Sequence, residues 1–158
     1  MCRREMISIS TLPVYMVPGS TATLILEYTG TYPTQGYGLY LSAPSPRTPA
    51  LVVTQFETTG ARAAFPCFDE PALKAPFTAS LVVPRRAGLA ALANMPEIGR
   101  TIGRGGAVET VSFAPSPPIS TYLVAFTVGQ LVQASSTVSG RDGPVNHRRC
   151  FHCRQHLM

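Results

Sequence analysis

Gln55 and Glu57 form the pair whose residue types and spacing best suit the recognition of a ligand. They stand two positions apart on a predicted strand, so their side chains leave the same face while Phe56 points the other way. A Glu carboxylate can pair with a cation such as a primary ammonium, and a Gln amide both donates and accepts hydrogen bonds. From the residues alone, the alternative stays open that both are solvated polar groups at a strand end.

The stretch FPCFDEP, residues 65–71, follows this pair and looks structural. Its two prolines fix the backbone, and its two phenylalanines supply apolar anchors. Asp69 and Glu70 can cap the following turn or bind Arg62. General acid–base chemistry would need a partner histidine, a metal or an acid across a cleft, and the stretch supplies none of these. Cys67 stands between aromatic residues and is interpreted as a small buried hydrophobe, not as a nucleophile.

The composition predicts one domain with a β fold. The chain has 158 residues, of which 45% are hydrophobic, enough to bury a core. Its 15 prolines and 13 glycines disfavour long helices and favour short strands joined by turns. Apolar alternation and apolar runs predict strands near residues 21–28, 37–42, 50–57, 77–83, 107–113 and 121–132. The fold class expected is mainly β, an antiparallel β-sandwich or a saddle-shaped sheet.

Three local signals refine this prediction. Gly105 and Gly106 suit a tight hairpin turn between two β-like runs. Helical turns are expected only near residues 60–65 and 71–74. The segment 88–96 is apolar but short, and its pattern does not decide its structure.

The net charge of +5 is concentrated at the end of the chain, since residues 141–158 hold four arginines against one aspartate. We therefore predict no nucleic-acid partner for the domain. The side chains of Cys150, His152, Cys153 and His156 could ligate zinc, but they are crowded and the arginines would repel a cation. A disordered tail over 135–158 is the favoured interpretation, with zinc binding and basic contact with nucleic acid as alternatives.

The sequence contains no signal-peptide pattern, and no apolar run approaches the roughly 20 residues that span a bilayer. We therefore expect a cytoplasmic protein with no membrane segment.

Residues 54–77, TQFETTGARAAFPCFDEPALKAPF, resemble the signature of the aminopeptidase N family of zinc metallopeptidases. ALANMP at 91–96 and FAPSPPISTYLVAFTVGQL at 113–131 are similar to two further family segments and follow in the family's order. LEYTGTYPTQGYGLYLS at 26–42 is a weaker match. The resemblance implies an incomplete N-terminal β domain over 1–134 and a divergent tail over 135–158.

The resemblance also implies roles for the pair at the strand end. In the family, this domain packs over a thermolysin-like catalytic domain and contributes a wall of the substrate pocket. Gln55 would line the pocket for the first side chain of a peptide, and Glu57 would hold the free α-amine. The sequence departs from the family pattern at Thr58, Gly60, Pro76 and Ile119. Gly60 is expected to loosen the turn that follows Glu57.

The family's reaction releases N-terminal residues from peptides and uses a zinc ion held by an H-E-x-x-H helix. None of the three histidines of this chain lies in such a motif. We therefore expect no catalytic residue, metal ligand or cofactor in this chain, and no activity of the chain alone. Its expected partners are a peptide N-terminus and the missing catalytic domain, with zinc in the intact enzyme. The alternatives are a non-catalytic binding or regulatory module and a truncated product without function.

Overall fold

A computed structural model describes residues 17–46, 48–141 and 143–152. The described residues form ten strands and two 3-10 helices of three residues each, Ala61–Ala63 and Thr121–Leu123. The strands are β1 (Gly38–Ser42), β2 (Leu51–Gln55), β3 (Lys74–Ala75), β4 (Ser80–Pro84), β5 (Leu89–Ala93), β6 (Glu97–Ile102), β7 (Val108–Phe113), β8 (Ile119–Ser120), β9 (Phe126–Gly140) and β10 (Gly143–His152).

The strands assemble into three antiparallel sheets. In the largest sheet, β9 pairs with β2, β5 and β10, and β1 pairs with the other edge of β2. A three-stranded sheet has the order β4-β7-β6, and β3 pairs with β8 in a two-stranded ribbon. The predicted fold class, mainly β with antiparallel pairing, is confirmed.

The core lies between the two larger sheets. Ala91 of β5 packs in one cluster with Val83 of β4 and with Val111 and Phe113 of β7. Every second residue of β7 is buried, as expected for a strand with one face on a core. Glu109 belongs to this buried row, and its carboxylate accepts a hydrogen bond from the Arg100 guanidinium, which compensates the buried charge. Two sheets facing each other across such a core form a β-sandwich.

The chain divides into two compact units, residues 1–32 and 33–158. The described part of the first unit, residues 17–32, contains a turn closed by Ser20, whose hydroxyl and amide both donate to Val17 O. It contains no strand, so the strand predicted near 21–28 is wrong. Alternation stabilises a strand only where a sheet pairs with it and a core covers one face. Here the side chain of Ile25 is 84% exposed.

Five of the six predicted strands are present, with shifted ends. The prediction for 50–57 ends at Gln55, and the prediction for 121–132 begins with a 3-10 helix before β9. β5 lies in the apolar segment that the sequence left undecided. Alanine has a low intrinsic preference for strands, so this strand depends on its pairing with β9.

The predicted turns are partly confirmed. Gly105 and Gly106 have φ of 87° and 74° and lie in the tight turn between β6 and β7. Such values favour glycine, which is why the sequence signal was reliable. The helical turn near 60–65 corresponds to the 3-10 helix Ala61–Ala63. Near 71–74 the chain turns at residues 71–72 and then enters β3.

The end of the described chain differs from the sequence expectation. β9 continues through the predicted boundary between residues 134 and 135, and β10 pairs with it from Gly143 opposite Gly140 to His152 opposite Leu131. The disordered tail expected from residue 135 is therefore a hairpin up to His152. The prediction of disorder rested on the excess of arginine. It did not include the backbone hydrogen bonds that the neighbouring long strand β9 offers. Residues 153–158 lie outside the described residues.

The sandwich core gives a matched test of this architecture. The side chain of Val111 is fully buried, whereas that of Val82 on the neighbouring β4 is 67% exposed. Val111→Ala removes two buried carbon atoms and leaves a cavity, so we expect a loss of about 2 kcal/mol in the free energy of unfolding. Val82→Ala should cost about 0.5 kcal/mol or less. Urea unfolding followed by circular dichroism measures both, and equal losses would contradict the assigned core.

Candidate functional site

The predicted pair, Gln55 and Glu57, lies at the end of β2 and in the turn that follows. Gln55 is the last residue of the strand, and Glu57 is the first residue of a four-residue turn. Both side chains are exposed, whereas the Phe56 side chain between them is only 2% exposed. Among the residues that the structure describes, neither side chain of the pair makes a hydrogen bond or ion pair with another side chain. We call these two residues the recognition pair.

Phe56 anchors the recognition pair to the domain. Its ring meets the ring of Phe65 edge to face at a centroid distance of 5.8 Å and the ring of Phe126 at 6.4 Å. Phe65 continues the cluster to Phe77 at 6.4 Å. Edge-to-face pairs at these distances add to the apolar burial of the rings. The backbone on both sides of Phe56 is therefore held by β9 and by the loop after the first 3-10 helix.

The turn after Glu57 is closed and not loosened by Gly60. Gly60 N donates to Phe56 O at 2.7 Å, and Gly60 is buried with φ of −91° and ψ of −9°. A Cβ atom at Gly60 would lie 3.0 Å from both Phe56 Cα and Tyr37 Cζ. The expectation that Gly60 loosens this turn is wrong, because the glycine permits its close approach to the Phe56 backbone and the Tyr37 ring.

A buried carboxylate connects this turn to a distant part of the chain. Asp69 Oδ2 accepts hydrogen bonds from Arg62 N at 3.0 Å and from Arg62 Nε at 3.2 Å, and Asp69 Oδ1 accepts one from Thr121 Oγ1. Arg62 Nη2 also donates to Asp69 O at 2.8 Å. The predicted Arg62–Asp69 pair is thus confirmed. Close by, Ser120 Oγ donates to Pro71 O at 2.6 Å, next to the β3–β8 pairing.

The environment changes the acidity of two groups in this loop. Burial alone would raise the pKa of Asp69, but the hydrogen bonds from Thr121 and from the Arg62 amide and side chain lower it below its usual value. Burial, and then the negative charge of Asp69, raise the pKa of the Cys67 thiol. A thiol with a raised pKa is a poor nucleophile at neutral pH, which agrees with the prediction that Cys67 is not a nucleophile. Its side chain is half-buried and not fully buried as predicted.

Next to the recognition pair, the side chains of Thr54 and Asn94 bind the backbone at the start of β9 and in the residues just before it. On one edge, Thr54 Oγ1 accepts from Phe126 N at 3.1 Å and lies 3.3 Å from Phe126 O, to which it donates. On the β5 side, just before β9 begins, Asn94 Oδ1 accepts from Ala125 N and Asn94 Nδ2 donates to Leu123 O, both at 2.8 Å. The regular ladder from β2 to β9 ends one residue earlier, at Val53.

A concavity of about 200 Å³ opens where these strands end. Its lining includes Val53, Thr54, Leu92, Asn94, Phe126 and Thr127. We call it the sheet-end concavity. Sequence reasoning missed it, since Thr54 and Asn94 are ordinary polar residues in the sequence and their partners lie 72 and 31 positions away. The only signal was their place within the two segments that resemble a family pattern.

The described residues offer no cluster of three His, Cys, Asp or Glu side chains that could hold a metal ion. Of the possible tail ligands, Cys153 and His156 lie outside the described residues, and Cys150 and His152 are described only by their backbone in β10. No helix in the described part of the chain is long and apolar enough to cross a membrane.

Comparison with known proteins gives a consistent result. The family model for the peptidase M1 N-terminal domain matches residues 3–123. Aminopeptidase M1-B of Oryza sativa subsp. japonica is 44% identical over 115 residues, 72% of this chain and 13% of that protein. Aminopeptidase N of Acetobacter pasteurianus is 37% identical over 121 residues, 75% of this chain and 33% of that protein. Aminopeptidase Q of Mus musculus is 41% identical over 131 residues, 79% of this chain and 23% of that protein. The chain thus spans a third or less of each of these relatives.

The Asp69 contacts predict a pH-dependent contribution to stability. Because its pKa is lowered in the folded chain, the carboxylate stabilises the fold fully above about pH 5, and this stabilisation is lost as the pH falls through and below about 4. Asp69→Asn should lower the free energy of unfolding at neutral pH by about 1.5–3 kcal/mol, the worth of hydrogen bonds to a charged group. The mutant should also lose less further stability than the wild type when acidified.

Glu97→Gln is the matched control, since Glu97 pairs with Arg100 on an exposed strand. It should cost about 0.5 kcal/mol or less at neutral pH. Urea unfolding at several pH values between neutral and acid measures the effect of both substitutions. If Asp69→Asn and the wild type lost stability in parallel on acidification, the assigned role of the Asp69 carboxylate would be wrong.

Proposed function

The chain belongs to the M1 peptidase family and carries its N-terminal domain, and we propose that Gln55 and Glu57 bind the N-terminus of a peptide substrate. The observation that carries this proposal is the exposure of the two side chains on either side of the buried Phe56 anchor. The pair therefore presents an amide and a carboxylate to solvent on a backbone that is fixed by packing. In the proposal, Glu57 accepts hydrogen bonds from the α-ammonium group, and Gln55 contacts the first residue of the peptide.

The chemistry of the pair supports this assignment of roles. A carboxylate gains most from a partner that carries both a positive charge and several hydrogen-bond donors, and a terminal ammonium has both properties. Such contacts strengthen when water is excluded, so the proposed site needs a second wall to cover it. The exposed Gln55 amide and Glu57 carboxylate could therefore form one wall of a pocket that two domains share.

Hydrolysis itself is assigned to a different part of the enzyme. M1 aminopeptidases use zinc, whereas the described residues do not fit a metal site and the 158-residue sequence contains no H-E-x-x-H motif. We therefore propose that this domain binds and orients the peptide, and that a catalytic domain supplies the metal and the attacking water. Orientation of a substrate lowers the barrier only where the reacting groups are also present.

The purified 158-residue chain should release no detectable product from aminoacyl chromogenic substrates, with or without added zinc. The physical reason is that binding groups do not replace a metal-activated water. The measurement is a long incubation at high protein concentration, with Glu57→Gln as a control for contaminating peptidases. Turnover that is reproducible in the wild type and lost in Glu57→Gln would contradict this division of roles.

In an intact M1 aminopeptidase that carries this domain, Glu57→Gln should lower kcat/KM for peptides with a free N-terminus. The loss of a charge-assisted contact of about 1.5–3 kcal/mol corresponds to roughly tenfold to a hundredfold. Glu70→Gln is the matched control, because Glu70 is also an exposed acid in the same loop region. It should leave kcat/KM nearly unchanged. An equal effect of both substitutions, or of neither, would remove Glu57 from the site.

A further inference from the structure

Three arginine side chains lie at one end of the sheet formed by β4, β7 and β6. Arg85 and Arg86 directly follow β4, and Arg104 lies in the turn between β6 and β7. Arg85 N donates to Ala107 O at 2.9 Å, so the loop after β4 and this turn meet at the same end of the sheet. All three arginine residues are exposed. The fold therefore concentrates three positive charges that the sequence separates.

These three charges have no acidic partner within the described ranges of the chain. The structure gives none of the three guanidinium groups an ion pair or a side-chain hydrogen bond to another described residue. The two acids of the same sheet, Glu97 and Glu109, both bind Arg100 instead. A guanidinium group matches the geometry of a carboxylate and can bind it through two parallel hydrogen bonds. The three arginines are thus available for carboxylates from outside.

An exposed apolar area adjoins the arginines. The side chain of Val82 is 67% exposed and that of Val108 is 39% exposed. Pro84 is directly opposite Val108, and both share with Val82 the face of the sheet that points away from the core. We call these residues together the arginine surface: Val82, Pro84, Arg85, Arg86, Arg104 and Val108. Interfaces between proteins combine apolar contacts with a polar rim and are enriched in arginine.

We propose that the arginine surface binds an acidic segment of a partner protein, in which a group of carboxylates is followed by apolar residues. The carboxylates pair with the three arginines, and the apolar residues cover Val82 and Val108. Charge complementarity selects this occupant, because a basic segment would be repelled and a neutral one would leave the three guanidinium groups without partners. Binding here is independent of the function proposed above, because the recognition pair belongs to the other large sheet.

Anionic membranes and nucleic acids also attract arginine, but other properties of the arginine surface disfavour both. Residues 103–107, which form the turn between β6 and β7, include no large apolar side chain that could enter a bilayer. None of the six residues of the arginine surface is aromatic. Membrane interfaces and single-stranded nucleic acids are usually contacted through aromatic rings. A protein segment needs neither feature.

The test measures the binding of a dye-labelled heptapeptide, four glutamates followed by valine, leucine and valine, to the full 158-residue chain by fluorescence anisotropy. The dye blocks the N-terminus of the peptide, so the peptide offers no ammonium group to Glu57. We expect saturable binding that weakens about fivefold or more when NaCl is raised from about 0.1 M to about 1 M, because salt screens exposed charges. The same peptide with four lysines instead of the glutamates should not bind.

Arg85→Gln combined with Arg86→Gln should weaken binding of the glutamate peptide about fivefold to tenfold, because each exposed ion pair contributes only modestly. Lys74→Gln combined with Arg141→Gln is the matched control, since it removes the same charge at exposed positions in other elements. It should change the affinity less than twofold. Arg104→Gln tests the second loop separately and should weaken binding about threefold.

Equal losses in the two double mutants would overturn the proposal, as would the absence of binding of the glutamate peptide at millimolar concentrations. Vesicles that contain phosphatidylserine and a single-stranded DNA oligonucleotide serve as competitors. If either displaced the glutamate peptide at a lower concentration than the unlabelled peptide itself does, the arginine surface would be assigned to that ligand and the proposal would be wrong. Glu57→Gln should leave the affinity for the glutamate peptide unchanged, so this outcome and that of the proposed function are separate.

Discussion

The pairing of β9 with its neighbours is the interaction on which the rest of this structure depends. β9 holds β2 on one edge and β5 on the other, so it connects the strand that ends at Gln55 to the strand that ends at Ala93. Ala91 of β5 reaches the sandwich core, and Phe126 at the start of β9 packs against Phe56. The same strand thus fixes the core and the position of the recognition pair.

The motif around residues 54–77 therefore has two different tasks. Its first part presents an exposed amide and an exposed carboxylate, the two groups that we propose bind a ligand. Its second part is a structural loop, in which the buried Asp69 carboxylate accepts hydrogen bonds from both Arg62 and Thr121. The ion pair and hydrogen bonds of Asp69 stabilise this loop, and the packing of Phe65 against Phe56 connects the loop to the sheet. A dense group of polar residues in a motif does not by itself identify a catalytic site, because most of these side chains satisfy one another.

The sequence predicted the features that depend on neighbouring residues. The alternation of Gln55, Phe56 and Glu57 gave the correct pattern of exposure, and the paired glycines after β6 gave the correct turn. Arg62 and Asp69 are only seven positions apart, so their pairing could be predicted from the local sequence. The contact of Asp69 with Thr121 spans 52 positions, and no local pattern reports it. The alternation of apolar residues at 21–28 predicted a strand that the structure does not contain, because an alternating pattern does not provide a neighbouring strand to pair with.

We propose above all that Glu57 binds the free ammonium of a peptide N-terminus. The most direct measurement is a double-mutant cycle on the inhibition of an intact M1 aminopeptidase that carries this domain by leucinamide and by 4-methylpentanamide, the same amide without its amino group, for the wild type and for Glu57→Gln. We expect the loss of the ammonium to weaken binding to the wild type about tenfold or more, as expected for a charge-assisted hydrogen bond. We expect little difference between the two ligands in Glu57→Gln. The same ratio of affinities in both proteins would show that Glu57 does not bind the ammonium.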